Sequence, residues 1–338
     1  MQQQYTPRYP LEQRPRVCLL LFTPFLFCLP KKHLLMFSKK AFTIKEQIAQ
    51  LQERGLLIKN TVLAEKYLSN ISYYRLGEYW YVMQENKEKH IFKPNSRFAD
   101  VIALYNFDAE LRLLLFDVIE KIEISLRTKL IYHLSHEIDP WWFCNSEIFT
   151  DSLQYSRTLA KIEEEVTRAR RKDVTIKHHF KKHKDDLRFP PSWKSLEQVS
   201  FGNLSKLYGN LKHSVKSKDL IAQEFGAVNH TYLPSWLQSI AQIRNFCAHH
   251  SRLWNRNLPS TVKLLPKPPN PWIVEKENIP KQSNKLYMHL CLMKYVLNTI
   301  QPNNDFTSKL DTLFIKYPNV DPNALDMKAN WQQEPLWK

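Results

Sequence analysis

The feature that most limits the possible folds is a long helical pattern between residues 98 and 137. Apolar residues recur there at every third or fourth position, which predicts one long amphipathic helix with a break near Asn106. They are Val101, Leu104, Leu111, Leu115, Val118, Ile122, Leu126 and Leu130. The chain has only 5 glycines among 338 residues, and most of its 20 prolines fall between periodic segments. Tight hairpins should therefore be few, and the sequence predicts an all-α fold.

Two further signals mark where the helical domain begins and ends. Thr43 is placed to cap a first helix that Gly55 closes, and residues 286–300 form the last clear amphipathic pattern. The sequence contains no repeat, no transmembrane span and no second composition class. We therefore expect a single helical domain over residues 36–317, followed by a flexible tail over residues 318–338.

Residues 1–35 differ from the rest of the chain. Their apolar run, residues 17–29, is too short to span a bilayer, and Cys28, Leu29 and Pro30 do not form a signal-peptide cleavage site. Met36 begins a clean domain opening. We expect residues 1–35 to be an unstructured upstream extension, and whether the native protein contains them is open.

The stretch from Ser239 to Arg256 carries the most chemistry, and its spacing predicts a helix with two opposed stripes that stops before Pro259. The apolar stripe consists of Trp236, Ile240, Ile243, Cys247, His250 and Trp254. The polar stripe consists of Gln242, Asn245, His249, Arg252 and Arg256.

The polar stripe supplies candidate catalytic residues. Asn245 lies one turn before His249, so its amide is placed to hold the imidazole in one tautomer, and the long side chain of Arg244 is expected to reach the same imidazole. Arginine beside histidine, without an acidic pair or metal ligands, suits a reaction that moves a proton while an anion gains charge, as in phosphodiester cleavage. Arg244, Asn245 and His249 are therefore the candidate catalytic residues. His250, on the apolar stripe, is expected to be a packed core histidine.

Other polar residues have two interpretations each. Arg252 and Arg256 either hold phosphates or form structural salt bridges. Glu120 and Glu123 either form an internal ladder with Arg127, which the spacing favours, or support catalysis by pairing with Arg244 or orienting His249.

An excess of basic residues points to a polyanionic partner. The chain has 49 Lys and Arg against 33 Asp and Glu, a formal charge of +16. Residues 168–188 are the most basic stretch, and we expect a solvated, mobile segment that contacts phosphates in a second role. The RNA-binding candidates there are Arg170, Arg171, Lys181 and Lys182, beside Arg252 and Arg256.

Neither a metal nor a cofactor is expected. His178, His179 and His183 lack nearby cysteines and a clean acidic ligand. The five cysteines are scattered, as in a reduced cytoplasmic protein, and Cys247 lies on the predicted core face with no acid to assist it.

A run of aromatic residues surrounds Arg75 in ISYYRLGEYWYVM, residues 71–83. The interpretation we favour is a corner packed by rings, and the alternative is a platform on which nucleobases stack.

RNFCAHHSRLWNR at residues 244–256 resembles the signature of the Abi-like (abortive infection) family of bacterial phage-defence proteins, within the HEPN superfamily. Four more blocks resemble the family in order. They are FTIKEQIAQLQERGLLI, SYYRLGEYWY, LYNFDAELRLLLFDVIEKIEISLRTKL and PPSWKSLEQVSFGNLSKLYGNL. The resemblance covers about residues 37–300, and residues 1–35 have no counterpart in it.

The resemblance implies a HEPN-type helical bundle, here with an N-terminal extension and additional helices. It also implies a metal-independent endoribonuclease, acting as a homodimer in which Arg and His of two protomers meet. Arg244, Asn245 and His249 match the family motif, and His250 is also typical of the block, so the pattern alone leaves the chemical histidine open. The helical stripes favour His249.

Cleavage by this arrangement would use the 2′-hydroxyl of RNA and leave a 2′,3′-cyclic phosphate. The alternative is a protein that only binds RNA, or a toxin–antitoxin component held inactive by a small noncoding RNA or an antitoxin protein. A third class, a peripheral membrane protein, requires residues 17–29 as an anchor, and no membrane partner is expected without them.

Overall fold

The structure, a computed structural model, describes residues 40–275, 279, 284–328 and 330–338. The expectations for residues 1–35 lie outside this range. Residues Thr43–Lys338 form one compact unit, and its described part is predominantly helical with a single two-stranded sheet, which confirms the all-α prediction.

Twelve helices and one small hairpin make up the described part of the chain. The helices are α1 (Ile44–Glu53), α2 (Thr61–Ile71), α3 (Tyr73–Trp80), α4 (Phe98–Glu137), α5 (Ser152–Lys172), α6 (Val174–Lys182), α7 (Ser192–Ser195), α8 (Phe201–Asn210), α9 (Lys216–Glu224), α10 (Leu233–Ala248), α11 (Leu286–Ile300) and α12 (Phe306–Lys316). Strands β1 (Gln84–Asn86) and β2 (Ile91–Phe92) pair antiparallel.

Helix α4 is the axis of the fold. Its 40 residues correspond to a rod roughly 60 Å long. The predicted apolar stripe is buried along its whole length, and helices α3, α8, α9, α10, α11 and α12 pack around it. The expected break near Asn106 is wrong: Phe107 packs against Phe314, and Tyr105 packs edge-on against Tyr79. Packing on both sides of Asn106 keeps the helix continuous.

The start of the domain follows its local signals. Thr43 and Glu46 form a complete capping box at α1, with Glu46 N–H bonded to Thr43 Oγ1 and Thr43 N–H bonded to the Glu46 carboxylate. Gly55 has φ +94°, a conformation that favours glycine, and the helix ends just before it. The predicted cap and stop of α1 are both confirmed.

The end of the chain does not form the expected flexible tail. Trp331 and Trp337 are buried and meet edge-on with ring centroids 4.8 Å apart, and Trp337 stacks on Tyr287 of α11. Helix α11 is buried on all sides from Leu286 to Leu297, so it needs a cover on every face. The described residues of 318–338 help to supply that cover and belong to the domain.

The aromatic run around Arg75 is only partly a packed corner. Tyr79 and Trp80 are buried, as the favoured interpretation requires. Tyr74 is 84% exposed. In the described residues, no helix has the length and apolar character needed to cross a membrane.

Candidate active site

Helix α10 presents one face to the core as predicted. Pro234 lies in its first turn, where a missing N–H costs nothing. Trp236, Ile240, Ile243 and Cys247 are all at most 2% exposed. Burial raises the pKa of the Cys247 thiol to about 12. This thiol stays protonated near neutral pH and is unsuited to act as a nucleophile or metal ligand.

The helix ends at Ala248, eight residues earlier than the sequence pattern predicted. His250 N–H donates to Cys247 O at 3.0 Å and Ser251 N–H donates to Phe246 O at 2.9 Å, which is a Schellman motif. The residue of this motif that takes the left-handed conformation is His250, with φ +55°. Residues 249–256 therefore leave the helix axis; this segment is here called the catalytic loop after the candidate catalytic histidines that it carries.

The early end overturns the assignment of His250 to the core. Both His249 and His250 are exposed. The predicted apolar stripe could include His250 and Trp254 only if the helix continued past Cys247. The chain instead turns away from the helix axis at His250. Trp254 is still buried, but it reaches the core from the loop. Geometry consequently leaves both histidines as candidates.

The candidate catalytic side chains are free of protein partners within the described chain. Arg244 is partly buried and Asn245 is exposed, both in the last turns of α10. Their side chains and the imidazoles of His249 and His250 make no hydrogen bond or ion pair to any described residue. The expected hold of the Asn245 amide on the His249 imidazole is not formed. Only the backbone links these two residues, through His249 N–H and Asn245 O at 2.9 Å.

A buried carboxylate on α4 holds the catalytic loop in place. Asp108 is fully buried and accepts hydrogen bonds from Tyr79 Oη at 2.8 Å, Arg112 Nη1 at 2.5 Å, Leu253 N at 3.1 Å and Trp254 N at 2.7 Å. Because Leu253 N–H and Trp254 N–H bond to Asp108, they are not used in a continued helix. This explains why the helix does not extend to Arg256.

Electrostatics in this cluster depend on burial and pairing. Burial raises the pKa of the Asp108 carboxyl, while Arg112, Tyr79 and the two backbone N–H groups act in the opposite direction. Burial opposes the charge of Arg112, but Asp108, Tyr79 and Tyr105 together outweigh burial and raise the pKa of Arg112. The Tyr79 pKa is raised by burial and by Asp108, so its hydroxyl remains a donor. Each partner therefore offsets part of the free-energy cost of burying the other.

Sequence reasoning missed this cluster, although a signal was present. Asp108 occupies a position of the buried stripe of α4, between Leu104 and Leu111, and Arg112 follows it by one turn. An acid in a core stripe with a cation four residues later predicts a buried pair.

Helix α3 contacts the other side of the catalytic loop. Arg75 Nη1 donates to His250 O at 2.6 Å. Arg252 Nη1 donates to Glu78 O at 2.8 Å, and its Nε lies 3.6 Å from Glu78 Oε2. Arg256 stacks over the ring of Phe246 at 4.3 Å and donates to Arg252 O at 3.1 Å. Of the two interpretations of Arg252 and Arg256, the contacts favour the structural one.

The acidic residues proposed to support catalysis do not contact Arg244 or His249. Glu123 Oε1 accepts from Arg127 Nη2 at 2.9 Å, and Arg127 also donates to the carbonyls of Leu196 and Val199, each at 3.0 Å. The ladder interpretation therefore holds for Glu123 and Arg127. Glu120 is exposed and is not part of that ladder.

The most basic stretch is a helical hairpin, where a mobile segment was expected. Asp173 ends α5 and caps α6, accepting from Ile176 N–H at 2.8 Å. The four candidate RNA-binding residues are exposed on this hairpin, and Arg170 lies over the ring of Phe180 at 4.5 Å. They are Arg170, Arg171, Lys181 and Lys182. Helix α5 packs on α8, and α8 packs on α10, so α8 separates the hairpin from α10.

No set of three or more His, Cys, Asp or Glu side chains in the described residues is placed to hold a metal ion.

Comparison with known proteins agrees with the resemblance. The model of the family described as Abi-like protein matches residues 66–255, more than half of the chain. The chain belongs to this family. The matched range includes α3, Asp108, Arg112 and α10, and it ends one residue before the end of the catalytic loop. Membership suggests a role in abortive infection defence. No curated protein and no solved structure matches the chain.

Proposed function

We propose that this protein is a metal-independent endoribonuclease of abortive infection defence, with its active site at the end of α10. The observation that carries the proposal is that Asn245, His249 and His250 are exposed and Arg244 is partly exposed at one helix end, and that none of the four uses its side chain in a hydrogen bond or ion pair within the described protein. A buried cluster fixes the loop that holds the two histidines. Reactive groups on a rigid support are what positioned acid–base catalysis needs.

The proposed reaction uses the substrate's own nucleophile. A histidine takes the proton of a 2′-hydroxyl, whose oxygen attacks the adjacent phosphorus. The bond to the 5′-oxygen of the next nucleotide breaks, and that oxygen receives a proton. The products are a 2′,3′-cyclic phosphate and a 5′-hydroxyl. Arg244 stabilises the negative charge that grows on the phosphoryl oxygens.

The two histidines divide the proton transfers in this proposal. His249 lies one turn after Asn245 and remains the proposed base. His250 is the proposed acid, since it is exposed beside His249 and its backbone is held by Arg75. Asn245 offers an amide to the phosphate or to a ribose hydroxyl.

Dimerisation remains part of the proposal, because the family resemblance implies a site shared by two copies. Specific activity should then fall when the protein is diluted below the dissociation constant of the dimer. Unchanged specific activity in a solution shown to contain only monomer would contradict a shared site.

The test is cleavage of mixed cellular RNA in excess EDTA by the full chain. We expect the wild type to cleave and to leave cyclic phosphate ends, and Arg244→Ala and His249→Ala each to lose about 10²- to 10⁴-fold in rate. Arg244→Lys should also lose activity, because the two-donor fork is absent. Arg97→Ala, at the residue before α4, and His136→Ala, in the last turn of α4, replace exposed residues of the same types and should cleave normally.

Two results would contradict the proposal. One is cleavage that requires a divalent ion, and the other is equal cleavage by Arg244→Ala, His249→Ala and the wild type. Tight RNA binding by the wild type without cleavage under any condition would favour the RNA-binding alternative.

A further inference from the structure

Two residues of α3, Arg75 and Glu78, contact the catalytic loop, and Tyr74 lies on the same side of the helix. Successive helical residues are 100° apart, so Tyr74, Glu78 and Arg75 occupy a single arc of about 100°, with Glu78 between the other two. Arg75 contacts His250 O and Glu78 contacts Arg252. The arc therefore faces the loop, and Tyr74 lies at its edge.

Among the exposed tyrosines of the described residues, Tyr74 differs from Tyr81 and Tyr132 because no cationic or imidazole group packs against its ring. Its side chain is 84% exposed, and its ring meets that of Tyr73 edge-on, with the ring centroids 6.1 Å apart. Lys87 lies over the ring of Tyr81 at 4.7 Å, and His136 packs against Tyr132 at 4.5 Å. Most of the Tyr74 ring is thus open to a planar ligand.

The turn before α3 fixes the direction of the helix that carries this ring. Ser72 has φ 73° and ψ 150°, a region that is otherwise almost restricted to glycine, and its Oγ accepts from Arg75 N–H at 3.4 Å. A strained backbone persists only where its surroundings enforce it. Here it sets the direction in which α3 leaves α2, and with it the position of Tyr74 beside the loop.

We propose that Tyr74 is a stacking subsite for an unpaired nucleobase of the RNA strand whose phosphate lies at the catalytic loop. This inference rests on the proposed function and names its substrate class as single-stranded RNA. An open aromatic face binds bases of any type, and the cations Arg75 and Arg244 suit the connecting phosphates. A base in a duplex is already stacked on its neighbours and does not offer its face to the ring.

The test uses a 12-nucleotide single-stranded RNA that carries one 2-aminopurine, whose fluorescence falls on stacking. Binding is measured with the double variant His249→Ala, His250→Ala, so that the RNA stays intact. Adding Tyr74→Ala should weaken binding by about 10-fold or more and remove the quenching at one position of the aminopurine. Tyr74→Phe should bind within about 2-fold of the parent, because the ring face remains. The matched control is Tyr132→Ala, which removes an exposed tyrosine near the C-terminal end of α4.

Three outcomes would overturn the subsite. They are unchanged binding by Tyr74→Ala, an equal loss in Tyr74→Phe, and a change of oligomeric state in Tyr74→Ala on sedimentation, which would assign the ring to a protein interface. These readouts are separate from catalysis. Absence of cleavage by the wild type refutes the proposed function, whereas normal cleavage and binding by Tyr74→Ala refutes this inference alone.

Discussion

At the scale of single residues, His250 is the least expected feature of the site. A residue with a Cβ pays roughly 1–2 kcal/mol to adopt the left-handed conformation, and glycine is the usual residue at this position of a Schellman motif. Here a histidine has φ +55° and is exposed, so it gains little from packing. A costly conformation without a packing benefit fits the role in proton transfer that we propose for the imidazole.

This cost leads to a prediction about His250→Gly. The variant should be more stable than His250→Ala by about 1 kcal/mol, since alanine keeps the backbone strain and glycine removes it. Both variants should lose RNA cleavage, because both lack the imidazole. Urea unfolding and a cleavage assay measure the two properties. A glycine variant no more stable than the alanine variant would show that the backbone is unstrained.

At the scale of elements, the length of α10 depends on a residue far away in the sequence. Local periodicity predicted the buried side of α10 correctly up to Cys247. It failed beyond Ala248, because Leu253 N–H and Trp254 N–H bond to Asp108, about 145 positions earlier. No window around α10 contains that information. The positions of His249 and His250 could therefore not be predicted from the sequence. Both residues could still be named as candidates for the chemical histidine.

The catalytic loop should depend on the charge of Asp108. Asp108→Asn leaves Arg112 buried without its counterion, and we expect a loss of roughly 3–5 kcal/mol in the free energy of unfolding. Adding Arg112→Met should recover part of this loss, because no unpaired charge then remains. Chemical denaturation of the single and double variants measures the effect. Additive losses in the double variant would show that the two residues are not coupled.

The hairpin of α5 and α6 is predicted to bind RNA through phosphates only. The triple variant Arg171→Ala, Lys181→Ala, Lys182→Ala should bind RNA more weakly, and its affinity should depend less steeply on salt concentration. Each lost phosphate contact should reduce the slope of log affinity against log salt by about 1. Lys45→Ala, Lys59→Ala, Lys66→Ala removes equal charge from exposed positions of α1, α2 and their connection. Equal slopes for both triple variants would assign the effect to net charge alone.

At the scale of the whole molecule, the extent of the domain was only partly predictable. The bounds of α11 follow from its own pattern, and the structure has them at the predicted residues, Leu286–Ile300. The sequence after Tyr317 spaces its apolar residues, such as Val320, Leu325 and Met327, irregularly and gives no helical period. The burial of this segment depends on the face of α11 against which it packs, and local sequence signals do not reveal that face. The predicted domain therefore ended too early.

The packing of α11 predicts a pH dependence of stability. His289 is 1% exposed, and burial lowers its pKa below the usual 6.5. The unfolded chain then binds more protons than the folded one as pH falls below about 6.5, so stability is lost in that direction. We expect a slope of at most about 1.4 kcal/mol per pH unit from this group. Unfolding measured from pH 7.5 to 5 should show a smaller slope in His289→Gln, and an equal slope would assign the effect elsewhere.

The central claim is that RNA is cleaved by its own 2′-hydroxyl at the end of α10. The most direct measurement maps one cleaved position in an oligoribonucleotide and repeats the reaction in EDTA with a 2′-deoxynucleotide at that position alone. The account predicts that cleavage there is abolished while other positions are still cut, because the nucleophile is missing at one site only. Continued cleavage at the deoxynucleotide would show that the attacking oxygen comes from elsewhere, and would contradict the proposed mechanism.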